Sequence, residues 1–259
     1  MKMNNTITIG LIAAMSQESD ALLRFIPKQE AYTLGSFRAV RFQLADRSCV
    51  LATSGMGIEH AADCARRLVI TAHPQLLLSF GIAGAVNADL NIGDVVISSS
   101  NCTWGSGSPG PLLPLAPLTQ QAWEAAVQAL LPEGARLAAG TAITTRGSQV
   151  MPGTVASLAN PILEMETAGI AQAAIAAGIP LLSIRSISDG PKAPIPLDLE
   201  AIMDEQYNLR IGKILGMVIR NPRLISQLQP MMQNSAKAAR CCALAVLAAL
   251  SQTAPIISL

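Results

Sequence analysis

Four acidic residues stand at positions where proton-transfer chemistry is simple to build: Glu18, Glu164, Glu166 and Asp189. Carboxyl groups gathered in one crevice are the residue types of general acid and base catalysis. Each acid also has a plainer account. Glu18, Glu164 and Glu166 suit the first turn of a helix, where acids complement the macrodipole. Asp189-Gly190-Pro191 is a good turn sequence. In a helix Glu164 and Glu166, two residues apart, point to different faces, so only one can aim at a given ligand. What argues for a site is the company they keep. Glycines and acids cluster at the ends of four predicted strands, in Ala14–Glu18, Ser54–Gly57, Gly81–Gly84 and Ser188–Asp189.

The elements that must position them follow from apolar runs and their punctuation. Thr6–Ala14 reads as a first strand, turning through Met15-Ser16-Gln17-Glu18 into a helix to Phe25. Tyr32–Leu44 reads as a pair of strands, Cys49–Thr53 as another, and Ile58–Thr71 as a helix ended by His73-Pro74. Leu76–Phe80 is a short buried strand, followed by a glycine loop at Gly81–Gly84 that is either a plain turn or a backbone cradle for an anion or sugar. Asp94–Ser99 is a strand, Gly105–Pro117 a long loop, Thr119–Leu131 a helix capped by Thr119, and Leu137–Thr145 a strand. The stretch from Glu164 predicts a helix carrying carboxylates at its start and stopped at Gly178-Ile179-Pro180. A buried strand, Leu181–Ile187, then delivers Asp189 past its carboxyl end, where open α/β sheets keep ligands. A proline-rich connection at Pro191–Pro196, a helix from Asp198 to Arg220 and two further helical pieces complete the chain. Strand and helix alternate, which predicts an α/β fold with a mixed central sheet and helices on both faces.

Composition narrows the partners. The 259 residues are 51% hydrophobic and 3% aromatic, with net charge +1, so nothing favours nucleic acid by charge or by base stacking. From Gln206 to Leu259 there are six basic residues and no acid, a basic and apolar composition that suits a helix docked on the body or on a second subunit, or lying on a membrane surface. The apolar run Cys241–Leu250 is too short to span a bilayer. Five scattered cysteines without a CxxC suggest reduced thiols in a cytoplasmic protein. His60 and Cys64 lie four apart on a predicted helix, yet no third ligand accompanies them, so no metal is expected. Gly55-Met56-Gly57 is half a dinucleotide fingerprint, with His60 in place of the third small residue, and a nicotinamide or flavin cofactor is not expected.

Taken together, these blocks resemble the nucleoside phosphorylase and nucleosidase superfamily, and most closely its 5′-methylthioadenosine/S-adenosylhomocysteine nucleosidases. Ile9-Gly10-Leu11-Ile12-Ala13-Ala14-Met15-Ser16-Gln17-Glu18 is similar to that family's opening strand and acidic turn, and Ser54-Gly55-Met56-Gly57 to its second glycine turn. Phe80-Gly81-Ile82-Ala83-Gly84-Ala85 resembles its central loop, and Glu164-Met165-Glu166-Thr167-Ala168 and Arg185-Ser186-Ile187-Ser188-Asp189 its sugar and acid blocks.

The resemblance implies a three-layer α/β/α fold of the phosphorylase/hydrolase type and cleavage of the N-glycosidic bond of an adenosine-type nucleoside. It implies Asp189 as the acid at purine N7 and Glu18 as the base that activates water. Glu166 would hold the ribose hydroxyls and Met165 would pack on the sugar. Arg185 would help position the water, Ser188 would help orient Asp189 or the base, and Ala83 and Gly84 would line the substrate. No cofactor is implied, although phosphate is admissible as a cosubstrate, and relatives form homo-oligomers. Ile82 stands where the family usually has Ser or Thr, and Thr144–Ser148 lacks the usual stacking aromatic. A non-catalytic nucleoside binder is the alternative those two changes raise. The C-terminal part resembles the hopanoid-associated phosphorylases, which implies an adenosylated lipid substrate, phosphorolysis and peripheral membrane contact. The expected organisation is a catalytic domain over residues 1–220 and a basic apolar helical tail over 221–259.

Overall fold

The computed structural model describes residues 7–146, 150–194, 223–252 and 255–258. Eleven strands form one continuous sheet system: β1 (Thr8–Ala13), β2 (Glu30–Leu34), β3 (Phe37–Leu44), β4 (Arg47–Thr53), β5 (Leu76–Ala85), β6 (Val95–Gly105), the two-residue pieces β7 (Ser108–Pro109) and β8 (Leu113–Pro114), β9 (Leu137–Thr144), β10 (Pro161–Glu164) and β11 (Leu181–Asp189). Among the described residues the α-helices are α1 (Ser16–Leu23), α2 (Ile58–Ala72), α3 (Gln120–Leu130), α4 (Thr167–Ala177) and α5 (Arg223–Leu250). The strand order is β10-β9-β6-β11-β5-β1-β4-β3-β2, with β7 and β8 paired to β6. β1 runs parallel to both β4 and β5, while β2, β3 and β4 form an antiparallel meander, so the sheet is mixed as expected.

The alternation of side chains along the strands sorts the core into layers. Ile9, Leu11, Leu78, Phe80 and Ile184 point to one face and pack with Leu22 of α1, Ala126 and Leu130 of α3, and Cys242, Val246 and Leu250 of α5. Ile12, Val50 and Leu77 point to the other and pack with Ala61, Cys64 and Leu68 of α2 and Ile170 and Ala174 of α4. Two helical layers therefore enclose the sheet. All five cysteines are free and buried, and burial pushes the thiols of Cys49, Cys64 and Cys242 up to about 12.

One half of the sheet curls back on itself. β5 pairs with β11, β11 with β6, β6 with β9, β9 with β10, and β10 again with β5 through Ile162–Ala85 and Leu163–Gly84. Register shifts between Ser98 and Ser100 and between Ile187 and Asp189 supply the bends, since a bulge increases local twist. Ala83 and Ala85, Val96, Ala142, Ile162 and Ile187 come from all five strands of this ring and form its own small apolar cluster. Gly140 sits where β9 passes the chain entering β10. A Cβ there would lie 2.6 Å from both the Asn160 carbonyl oxygen and Val96 Cγ1.

Three expectations change. Gly81–Gly84 is strand and not loop, because β11 on one side and β10 on the other extend the ladder of β5 to Ala85. Glu164 ends strand β10 and Glu166 is the N-cap of α4, so neither lies inside the helix. The two helical pieces at the C-terminus are one helix of 28 residues with Pro230 inside it. The helix expected from Asp198 to Arg220 lies outside the described residues.

Gly140→Ala forces either the Asn160 backbone or Val96 to move, and overpacking of this kind costs about 1–3 kcal/mol. Thermal denaturation should show a lowered Tm, and an unchanged Tm would mean the ring closes with slack at this point.

Candidate active site

Glu18 is the third residue of α1 and is 4% exposed. Its Oε2 accepts the Met15 N–H at 2.8 Å and its Oε1 accepts the Ile82 N–H of β5 at 2.8 Å. Burial pushes its carboxyl above the ordinary range, against the pull of these two N–H groups and of Arg185. The close approach to β5 needs glycine, because a Cβ on residue 81 would stand 2.2 Å from Glu18 Oε1. The same is true at the other acid: a Cβ on Gly84 would stand 2.7 Å from Asp189 Oδ2. The two glycines thus seat two carboxyl groups along one strand.

Asp189 ends β11 just after the register shift, and Ser188 Oγ donates to its Oδ1 at 2.6 Å. Ser188 Oγ also lies 3.3 Å from the Ala83 carbonyl oxygen, so Ala83, Gly84, Ser188 and Asp189 form one group. Burial raises the Asp189 pKa, and the Ser188 hydroxyl opposes it.

Glu166 is 7% exposed at the N-cap of α4. Its Oε1 accepts the Gly57 N–H at 3.0 Å and its Oε2 the Met165 N–H at 3.3 Å. Gly57 is the residue before α2, so the glycine turn Ser54–Gly57 hands a backbone donor to an acid from a distant part of the chain. Burial first, then the charge of Glu164, push the Glu166 carboxyl up to about 8, with Arg185 opposing and Glu18 adding to the rise. Met165, half-buried, stands directly before it.

Behind these acids lies a buried ion pair. Arg185 Nη2 is 3.2 Å from Glu164 Oε2, with the two side chains 2% and 0% exposed. The same nitrogen donates to Ser79 Oγ at 2.7 Å and to Thr167 Oγ1 at 3.3 Å. Glu164 Oε2 also accepts the Glu166 and Thr167 N–H groups at 3.0 and 2.7 Å, and Glu164 Oε1 accepts the Thr144 hydroxyl. Glu164 therefore does cap the start of α4, from the end of the neighbouring strand. Arg185 reaches Glu18 and Glu166 through its charge and not through a hydrogen bond to either.

Sequence reasoning names Glu18, Glu166, Met165, Arg185, Ser188, Asp189, Ala83 and Gly84, and the structure places them in two groups joined by β5. Ser79 and Thr144, which help satisfy Arg185 and Glu164, carry no signal in the sequence beyond being polar beside apolar runs, while Thr167 lies inside the sugar block without a role of its own assigned there. Three arginines outside the site have partners of their own: Arg38 pairs with Asp20, Arg41 lies 4.4 Å over the Tyr32 ring, and Arg146 pairs with Glu59. Among the described residues no group of three or more His, Cys, Asp or Glu side chains is placed to hold a metal ion. Among them, too, no helix is long and apolar enough to cross a membrane.

Comparison with known proteins adds a family. Residues 8–215 match the model of the phosphorylase superfamily. A 5′-methylthioadenosine/S-adenosylhomocysteine nucleosidase of Shewanella baltica is 30% identical over 238 residues, 84% of this chain and 99% of the relative. That of Actinobacillus succinogenes is 26% identical over 81% of this chain and 97% of its own. Among solved structures, the Neisseria meningitidis nucleosidase in complex with methylthio-immucillin-A superposes with TM-score 0.67 at 23% identity, covering 94% of this chain and 98% of that one. A futalosine hydrolase of Helicobacter pylori superposes with TM-score 0.66 at 18% identity, over 94% and 97%. These structural likenesses concern the fold.

The raised carboxyl of Glu166 makes a stability prediction with a definite sign. In the unfolded chain its carboxyl ionises near 4.5, in the folded protein near 8. Between those values the unfolded state binds fewer protons, so ionisation of Glu166 lowers stability as pH rises. Glu166→Gln should remove that slope and raise Tm at pH 8 more than at pH 5; an equal effect at both would place the strain elsewhere. Arg185→Met leaves Glu164 as an unpaired buried charge and should destabilise by about 3–5 kcal/mol, read from urea unfolding. Adding Glu164→Gln to it should recover part of the loss.

Proposed function

Because the chain belongs to the phosphorylase superfamily, we propose that it cleaves the N-glycosidic bond of an adenine nucleoside, with water attacking the ribose as the free base leaves. The observation that supports this best is the seating of Glu18 and Asp189 at Gly81–Ile82 and Gly84 of one strand, with Glu166 held beside Gly57. Gly81 and Gly84 lie three residues apart on β5, about 10 Å along the strand.

The chemistry follows from the charges. Breaking the bond between C1′ and N9 sends its electron pair into the purine, a poor anionic leaving group. Asp189, whose carboxyl is biased toward its protonated form by burial, gives a proton to N7, so the base departs neutral. The ribose acquires oxocarbenium character as the bond lengthens. Glu166 accepts hydrogen bonds from the ribose hydroxyls, and its negative charge favours that cation once substrate has brought it to the ionised form. Glu18 takes a proton from the water whose oxygen bonds to C1′. Arg185 tunes the pair from behind, and Met165 packs on the sugar. Neither metal nor organic cofactor enters this scheme.

Water and not phosphate is proposed as the nucleophile, since Ser16-Gln17-Glu18 carries no cation and Ile82 no hydroxyl for phosphate. Relatives with the same fold take different nucleosides, and the finer proposal here is an adenosine bearing a bulky apolar 5′ group. The basic and apolar C-terminal composition supports that, and with it a peripheral membrane contact and a homo-oligomer.

A nucleoside panel assayed for free base, including a hydrophobic 5′-substituted adenosine, tests the reading. Adenine release should proceed at the same rate without phosphate; strict dependence on phosphate would make the protein a phosphorylase. Asp189→Asn should lower kcat by about 10²–10⁴-fold, and full turnover would remove Asp189 from the mechanism. The profile of kcat/KM against pH should be bell-shaped, rising as Glu18 ionises and falling as Asp189 loses its proton. A flat profile would assign both roles to groups that do not titrate.

A further inference from the structure

The Asp189 carboxyl opens onto a cleft of ≈240 Å³ between the end of β11 and the C-terminal helix α5. Its far wall is one face of α5: Pro230, Met231 and Asn234 share the spacing that puts helix residues on one side. Its near wall is Ser188 with Asp189, and Ala193 with Pro194 closes it. Asn234 is half-buried there, and its side-chain amide makes no hydrogen bond to any described residue. A half-exposed amide on the wall of a cleft shared with an acid is free to bond a ligand in place of water. The helix is anchored on the sheet by Cys242, Val246 and Leu250, two to four turns further on.

We propose that α5 supplies the base subsite, Asn234 reading the substituent at C6 of the purine while Asp189 engages N7. This rests on the reading of the chain as a purine nucleosidase. Adenine presents N7 as an acceptor and the C6 amine as a donor on a single edge. A protonated carboxyl matches the first and an amide oxygen matches the second, and Asp189 and Asn234 stand in one cleft. Met231 and the rings of Pro194 and Pro230 offer apolar surface to the faces of the base. That surface takes the place of the aromatic missing from Thr144–Ser148, where the sequence has no ring to stack on a purine.

The test compares adenosine with purine riboside, which lacks only the C6 amine, in the wild type and in Asn234→Ala, using the full chain. The wild type should prefer adenosine in kcat/KM, and Asn234→Ala should cut that preference about tenfold or more while turning over purine riboside at near the wild-type rate. A ratio unchanged by the substitution overturns the assignment. So does a loss equal for both substrates, which would mark Asn234 as structural. A second arm does not need turnover. Calorimetry with free adenine and free purine should show adenine bound more tightly by the wild type and the difference lost in Asn234→Ala. Should the wild type release no base from any nucleoside, the proposed activity fails, and this binding comparison still decides whether Asn234 reads the amine.

Discussion

The buried pair of Arg185 and Glu164 is the constraint around which the site is built. Two charges withdrawn from water persist only when each is matched and hydrogen-bonded. Here Ser79, Thr144 and Thr167 and two backbone N–H groups complete the match. The pair comes from β10 and β11 and its partners from β5, β9 and the start of α4, so satisfying it fixes the relative positions of all five elements. Glu166 follows directly, since its own N–H is one of the bonds to Glu164. A shift of any one strand would leave a charge exposed to apolar surroundings.

Closure of the ring from β5 through β11, β6, β9 and β10 is the backbone counterpart of that pair. Open sheets place functional residues along one edge, at the carboxyl ends of successive strands. By curling, this sheet brings β10, which is last in the strand order, against the end of β5. Glu164 and Glu166 thereby come from far along the chain to face residues delivered by α1 and β5. The glycines of β5 permit the approach of Glu18 and Asp189, whose carboxyl groups a Cβ at either place would crowd.

The site is held at a cost to the fold. Glu18, Glu166 and Asp189 all have pKa values raised chiefly by burial, and Glu166 additionally by the neighbouring Glu164. Raised carboxyl pKa values mean that ionisation opposes folding, and clusters of such groups mark places where chemistry and not stability sets the arrangement. Arg185 moderates the strain on Glu18 and Glu166 alike without touching either.

The sequence by itself determined most of the order of strands and helices, with β7, β8 and β10 missed, the layers, and most of the acids. Apolar period, Gly178 and Thr119 as helix signals, and the blocks around Glu18, Glu166 and Asp189 are local properties of the chain, and local patterns survive folding. The length of β5 was not legible, because Gly81-Ile82-Ala83-Gly84 has turn-like residues and becomes strand only when β10 and β11 flank it. Nor was the partner of Arg185, since Glu164 and the three hydroxyls that surround it are scattered over four elements. The tertiary structure alone decided these points. Which strand meets which, and which helix face borders Asp189, depends on contacts between distant segments that no local period encodes.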